Sequence, residues 1–133
     1  MAKKKVQVET KSILRAIIKG VQDKKGLSVT CMDLAKIKSS ICDYFVVCHG
    51  TSNTHVSAIA ESIIEKVIEE TGIKPNRKEG IANSEWILID YLDVVVHIFQ
   101  KQIRDYYRLE DLWADAPTKN IGDEEKDPIA LIS

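Results

Sequence analysis

Apolar positions along the chain fall into blocks of two different periods. Between Thr10 and Lys25, Ile13, Leu14, Ile17, Ile18 and Val21 recur at helical spacing, and Gly26 stands where a helix C-cap is expected. That spacing predicts an amphipathic helix over 10–25. From Leu27 to Leu34 the period drops to two, with Leu27, Val29 and Cys31 alternating against Ser28 and Thr30, as in a strand. Lys36 to Ser40 is a polar break. Tyr44 to Cys48 is an unbroken apolar run of β-favouring residues, which predicts a strand buried on both faces. Gly50, Thr51, Ser52 and Asn53 supply a turn and N-cap chemistry. Behind them Val56, Ile59, Ala60, Ile63, Ile64, Val67 and Ile68 form one helical stripe, with Glu61, Glu65, Lys66 and Glu69 off it. Gly72 and Pro75 end that helix.

Residues 74–84 are rich in Lys, Asn and Gly and read as a loop. Trp86–Asp90 and Val94–Phe99 read as two strands of a hairpin. With Leu92 and Asp93 as turn residues, Tyr91 faces Val94, Ile89 faces Val96 and Ile87 faces Ile98, giving one apolar face. The opposite face pairs Asp90 with Val95, Leu88 with His97 and Trp86 with Phe99. A last helix is expected over 104–113, with Ile103, Tyr106, Tyr107 and Leu109 to Trp113 as its apolar side. The order α-β-β-α-β-β-α predicts an α/β (α+β) fold, a mixed sheet flanked by helices. One domain over 1–116 is expected. An acidic, flexible tail over 117–133 would follow, its residues Ile129 to Ile132 a candidate dock.

The totals agree with a globular domain. A chain of 133 residues with 44% hydrophobic and 29% charged positions can bury its own core, so it needs neither disulfides nor a metal to fold. Cys31, Cys42 and Cys48, odd in number and in apolar surroundings, read as reduced buried thiols. No stretch reaches the roughly 20 apolar residues of a membrane span. Met1 to Val6 is basic with no apolar stretch behind it, so no secretory signal is expected and the cytoplasm is the expected compartment. The net charge of −1 argues against gripping a phosphate backbone by bulk charge.

The mixed face of the hairpin leaves two readings open. A helix covers it, or it is a docking patch, since interfaces concentrate their energy in aromatic anchors with a polar rim. From Glu79 to Asp93 the chain carries Glu79, Glu85, Asp90 and Asp93 and no Lys or Arg, a local −4 that suits a basic protein partner. A solvated acidic edge that discourages strand addition has the same signature.

Constellations for chemistry are weak. Cys42, Cys48, His49 and His55 match no zinc-finger spacing. His97 in Val94-Val-Val-His-Ile-Phe99 has no paired nucleophile and reads as structural, and no nucleophile elbow, P-loop or dinucleotide fingerprint occurs. The Gly50-Thr51-Ser52 turn is similar to the start of a nucleotidyltransferase site, where such a turn holds phosphate at a helix N-terminus. The Asp-x-Asp magnesium pair of that site is missing, because Asp90 and Asp93 stand three apart at a turn. An enzyme using Thr51, Ser52, Asp90 and Asp93 with magnesium and a nucleotide is the alternative from another class.

Several separated blocks share one resemblance. Asp43-Tyr-Phe-Val-Val-Cys48, Gly50-Thr-Ser52 and His55-Val56 resemble the first signature of the RsfS/Iojap family of ribosomal silencing factors. Glu79-Gly80, Glu85-Trp-Ile-Leu-Ile-Asp-Tyr91 and Asp93-Val-Val-Val-His-Ile-Phe99 resemble the second. Arg104, Tyr107, Leu109-Glu110 and Leu112-Trp113 are similar to the closing helix, so the likeness runs from about Ser12 to Ala116. It implies a nucleotidyltransferase-like fold without the activity, no cofactor, and a homodimer when free. It also implies docking on ribosomal protein fourteen of the large subunit, which keeps the subunits apart when nutrients are scarce; organellar relatives assist large-subunit assembly. The docking residues implied here are Trp86, Asp90, Tyr91, Asp93 and His97. Strand alternation disagrees on Tyr91, which it places on the core side. The family's turn has glycine where this chain has Leu92. A left-handed leucine costs about 1–2 kcal/mol, which predicts a differently shaped turn.

Overall fold

The computed structural model describes residues 2–35, 37 and 42–122. Most of the polar break at 36–40 and the segment 123–133, with its Asp123-Glu-Glu125 run and candidate dock, lie outside the described residues. The elements run α1 (Ala2–Asp23), β1 (Leu27–Asp33), β2 (Tyr44–Gly50), α2 (Asn53–Thr71), β3 (Arg77–Glu79), β4 (Trp86–Asp90) and β5 (Val94–Gln100). α3 (Lys101–Tyr107), α4 (Leu109–Leu112) and β6 (Thr118–Ile121) complete them. They form one six-stranded sheet in the order β3-β4-β5-β2-β1-β6, in which only β2 and β5 are parallel. The mixed sheet flanked by helices is therefore as expected.

Four differences separate this architecture from the sequence reading. α1 begins eight residues before Thr10. β3 takes three residues from the expected loop and pairs with β4. The last helix starts at Lys101 and breaks at Arg108, whose φ of 50° ends α3 in a left-handed cap. β6 pairs with β1 beyond residue 116, so the expected domain end leaves out a strand of the sheet. Its single buried apolar residue, Ile121, is too little to announce a strand by alternation. What fixes it is the pairing itself and the Pro117 carbonyl, which accepts from Asp33 N–H at 2.8 Å.

α1 and α2 cover one face of the sheet. Ile17, Ile18, Val21, Ile59, Ile63 and Val67 pack there on Val46, Cys48, Ile87, Ile89, Val96 and Ile98. The helices touch backbone to backbone at Gly20, where a β-carbon would lie 2.7 Å from Ile63 Cα, and Ser62 Oγ–H donates to the Gly20 carbonyl at 2.8 Å. α2 begins on Ser52, whose Oγ accepts from His55 N–H, and ends on Gly72 at φ 75°.

Among the described residues, the other face is covered only in part. α3, α4 and the chain after them pack Ile103, Leu109, Trp113 and Ala116 against Met32, Phe45, Val47 and Phe99. Arg104 pins this cover to the sheet. It is 7% exposed, and it donates to Ser28 O at 2.8 Å, His49 Nδ1 at 2.9 Å and Glu110 Oε2 at 3.1 Å. Among the described residues this cover stops short of the β4–β5 turn. No helix among the described residues is long and apolar enough to cross a membrane.

Candidate docking surface

The hairpin has the register that alternation predicts: Trp86 opposite Phe99, Leu88 opposite His97, Asp90 opposite Val95. Trp86, Leu88, Asp90 and His97 thus share the partly covered face. Across the diagonal, Trp86 Nε1–H donates to His97 Nδ1 at 3.1 Å. Rings continue from this pair, with Phe99 4.8 Å and Tyr107 5.0 Å from Trp86 and Phe45 4.7 Å from His97 between centroids. Gly80 fixes the entry to β4. Its φ is 82°, and a β-carbon there would overlap the Trp86 carbonyl oxygen at 1.9 Å.

His97 is 4% exposed, and burial lowers its pKa to about 4. Because the indole can only donate, the neutral ring carries its proton on Nε2, and that atom is buried with no hydrogen-bond partner among the described residues. Beside it a cavity of about 230 Å³ opens toward the turn, walled by Phe45, Leu88, Leu92 and Val95 and edged by Arg77, Asp90 and His97.

The structure separates the five residues that the resemblance implied. Trp86, Asp90 and His97 come together. Tyr91 is 5% exposed in the helix-covered core, so it lies away from the partly covered face that carries the other three. Asp93 turns toward α1, where its Oδ2 accepts from Thr10 Oγ–H at 3.0 Å. Leu92 does not avoid the left-handed region: its φ is 72°, and Asp93 N–H donates to Tyr91 O at 2.9 Å around it. This is a γ-turn, held by Asp90 Oδ1 accepting from Leu92 N–H at 2.7 Å. The leucine thus keeps the left-handed φ it was expected to avoid, and the side chain of Asp90 braces it.

Sequence reasoning missed Arg77, Phe45 and Tyr107. Pairing of β3 with β4 brings Arg77 to Asp90 at 3.2 Å, and along its own strand Arg77 also meets Glu79 at 2.8 Å, so one guanidinium serves two of the four local carboxylates. The acidic patch is weaker than the linear charge count implied. Phe45 joins the site through the parallel pairing of Phe45 with Val95, a contact between distant segments of the chain that no local pattern announces.

The residues of the enzyme reading do not converge. Thr51 and Ser52 follow the C-terminal end of β2, whereas Asp90 and Asp93 flank the N-terminal end of β5. Six residue steps along the parallel pair put roughly 20 Å between them. The Thr51 N–H that would hold phosphate instead donates to His55 Nδ1 at 3.0 Å, and His55 Nε2–H donates to Lys24 O at 2.7 Å. The zinc candidates scatter too. Cys48 lies in the helix-covered core and Cys42 on the other side of the sheet, while His49 is held by Arg104. Burial raises the thiols to about 12 for Cys48 and about 11 for Cys42, against forming thiolate ligands.

Residues 7–130 match the family model described as RsfS, ribosomal silencing factor during starvation. The chain belongs to the RsfS family. The ribosomal silencing factor RsfS of Halalkalibacterium halodurans is 44% identical over 111 residues, covering 84% of this chain and 93% of that protein. An RsfS-like fold is also seen in a crystal structure of a Chromobacterium violaceum protein, with a TM-score of 0.72 and 33% identity. That match covers 85% of this chain and 93% of the other. A mouse protein named mitochondrial assembly of ribosomal large subunit protein 1 is 30% identical over 74 residues, 53% of this chain and 32% of its own length. RsfS is a family of silencing factors and not of enzymes, which agrees with the dispersal of the candidate catalytic residues.

Proposed function

We propose that this chain silences translation by docking on the large ribosomal subunit, through its ribosomal protein fourteen, and blocking the approach of the small subunit under nutrient limitation. The observation that carries the reading is the partly covered sheet face, where His97 and Asp90 edge an open apolar cavity and Trp86 donates to His97, in a chain of the silencing family. Such an arrangement concentrates binding energy in a few anchors. The mechanism is steric: a 15.0 kDa body need only occupy space that the other subunit requires. The cytoplasm is its compartment, and the free chain is a homodimer. Neither a cofactor nor catalysis is involved.

Co-sedimentation tests this directly. The protein should comigrate with large subunits alone and lower the yield of joined ribosomes when small subunits are added. Trp86→Ala should cost at least about 2 kcal/mol of binding, some thirtyfold. Its thermal melt would verify folding, since the indole also packs on Phe99 and Tyr107. Comigration of the variant at wild-type affinity would move the docking face elsewhere. The name of the mouse relative favours a second reading, assistance in large-subunit assembly. Depletion that leaves immature large subunits would select that role.

A further inference from the structure

The one side chain that α3 buries is a cation, Arg104; Ile103 beside it is half-buried, and Tyr106 and Tyr107 lie open. The ion pairs Lys101–Asp105, Arg108–Asp111 and Arg104–Glu110 join the α3–α4 cover to itself. On the sheet side Arg104 donates to three acceptors: Ser28 O at 2.8 Å, His49 Nδ1 at 2.9 Å and Thr30 Oγ1 at 3.3 Å. Ser28 presents its carbonyl at some cost, with φ 48° at a bulge where β1 slips register against β2. A carbonyl and a hydroxyl oxygen accept at any ordinary pH. His49 Nδ1 accepts only while the ring is neutral, because a guanidinium can only donate. Of the three sheet-side acceptors, His49 is the one that acid can remove.

We propose that His49 and Arg104 form an acid-released latch: a proton on His49 Nδ1 takes away the acceptor, sets two cations against each other, and lets the α3–α4 cover lift from the sheet. The latch belongs to the chain alone and does not rest on the docking reading. Both side chains are 7% exposed, so little water would screen the two charges. The charged groups facing the ring come from the cover. Burial, Arg104 and Lys101 disfavour its proton, whereas Asp105 and Glu110 favour it, and the balance lowers its pKa from the ordinary 6.5. β1 and β5 set Leu27 and Phe99 opposite His49, and neither titrates. His55, in the first turn of α2, is engaged by Thr51 and Lys24. An open cavity of about 370 Å³ already brings water to Arg104 and Glu110. Lifting the cover returns His49 to water and to its ordinary pKa, so opening takes up a proton. The latch is therefore whole above pH 6.5 and weakens as pH falls. Release would part Tyr107 from Trp86 and Trp113 from Phe45, which are 5.0 and 5.7 Å apart between ring centroids in the closed form.

Hydrogen exchange of the full chain, followed by mass spectrometry, reads the opening directly. Protection of residues 101–112 is compared with that of 56–68 in α2 at each pH, which cancels the intrinsic pH dependence of exchange. Uptake of one proton per opening predicts that the ratio falls by up to about eightfold between pH 7 and 5.5. His49→Asn sets an amide oxygen at the Nδ1 position, an acceptor that does not titrate, and should keep the ratio flat. His97→Gln removes the other buried histidine of this face and should leave the fall in place. A constant ratio in the wild type, or an equal fall in His49→Asn, would overturn the latch. Should His49→Asn unfold, ring-proton NMR of the wild type decides instead. His49 must then titrate together with the loss of protection, and a ring that stays neutral through it refutes the proposal.

Discussion

His97 couples the stability of the fold to pH through one buried ring. Its neutral form is required twice, once to accept from Trp86 and once because burial disfavours the imidazolium. The folded pKa, about 4, lies below the ordinary 6.5, so between these values the unfolded chain holds a proton that the folded one does not. The contribution is therefore complete above pH 6.5 and is lost as pH falls, by at most about 1.4 kcal/mol per unit, until both states are protonated near pH 4. His49 shifts in the same direction through burial and Arg104, whereas burial raises Asp43 and works oppositely. The difference between wild type and His97→Gln isolates one residue. Urea unfolding at pH 7, 5.5 and 4.5 should show the wild type losing stability more steeply, and parallel profiles would mean that His97 titrates normally. At this scale the sequence was a partial guide. It placed His97 on the right face by alternation, yet nothing in Val94-Val-Val-His-Ile-Phe99 foretells the indole that holds it. Tyr91, which the resemblance implied for docking, follows Ile87 and Ile89 onto the core side, because alternation along β4 continues to it.

At the scale of elements, legibility followed the length of the periodic signal. α2, β2 and the β4–β5 hairpin were readable because each carries a sustained apolar pattern, and the hairpin register came out residue for residue. The edge strands β3 and β6 were not, since Arg77–Glu79 is wholly exposed and Thr118–Ile121 buries one side chain. Their pairing partners, not their composition, make them strands. β3 matters most for the site, because it alone delivers Arg77 to Asp90. The contact between α1 and α2 depends likewise on something a pattern of apolar residues does not reveal, a helical glycine under a backbone. Gly20→Ala would press a methyl against Ile63 Cα at 2.7 Å and Ser62 O at 3.1 Å. Backbone cannot swing aside as a side chain can, so the gain in helix propensity is outweighed and stability should fall by about 1–3 kcal/mol. Urea denaturation would read this as a lowered midpoint; a raised midpoint would mean that the helices have room to part.

The whole molecule enters the proposed mechanism as an obstacle, and an obstacle obeys mutual exclusion. Nothing in a steric block requires the large subunit to change conformation. The chain and the small subunit should then compete for one face, each excluding the other by the same factor. Raising the concentration of free small subunits should weaken apparent binding of this chain in direct proportion, without limit. An allosteric silencer behaves differently: a ternary complex forms, and the apparent Kd rises to a plateau set by a finite coupling. Titrating labelled protein onto large subunits at several fixed small-subunit concentrations separates the two. Linear growth of the apparent Kd supports exclusion. A plateau, with label sedimenting alongside joined ribosomes, would show that the chain leaves the joining face open. The partly covered sheet face would then recognise the large subunit without standing in the path of the small one.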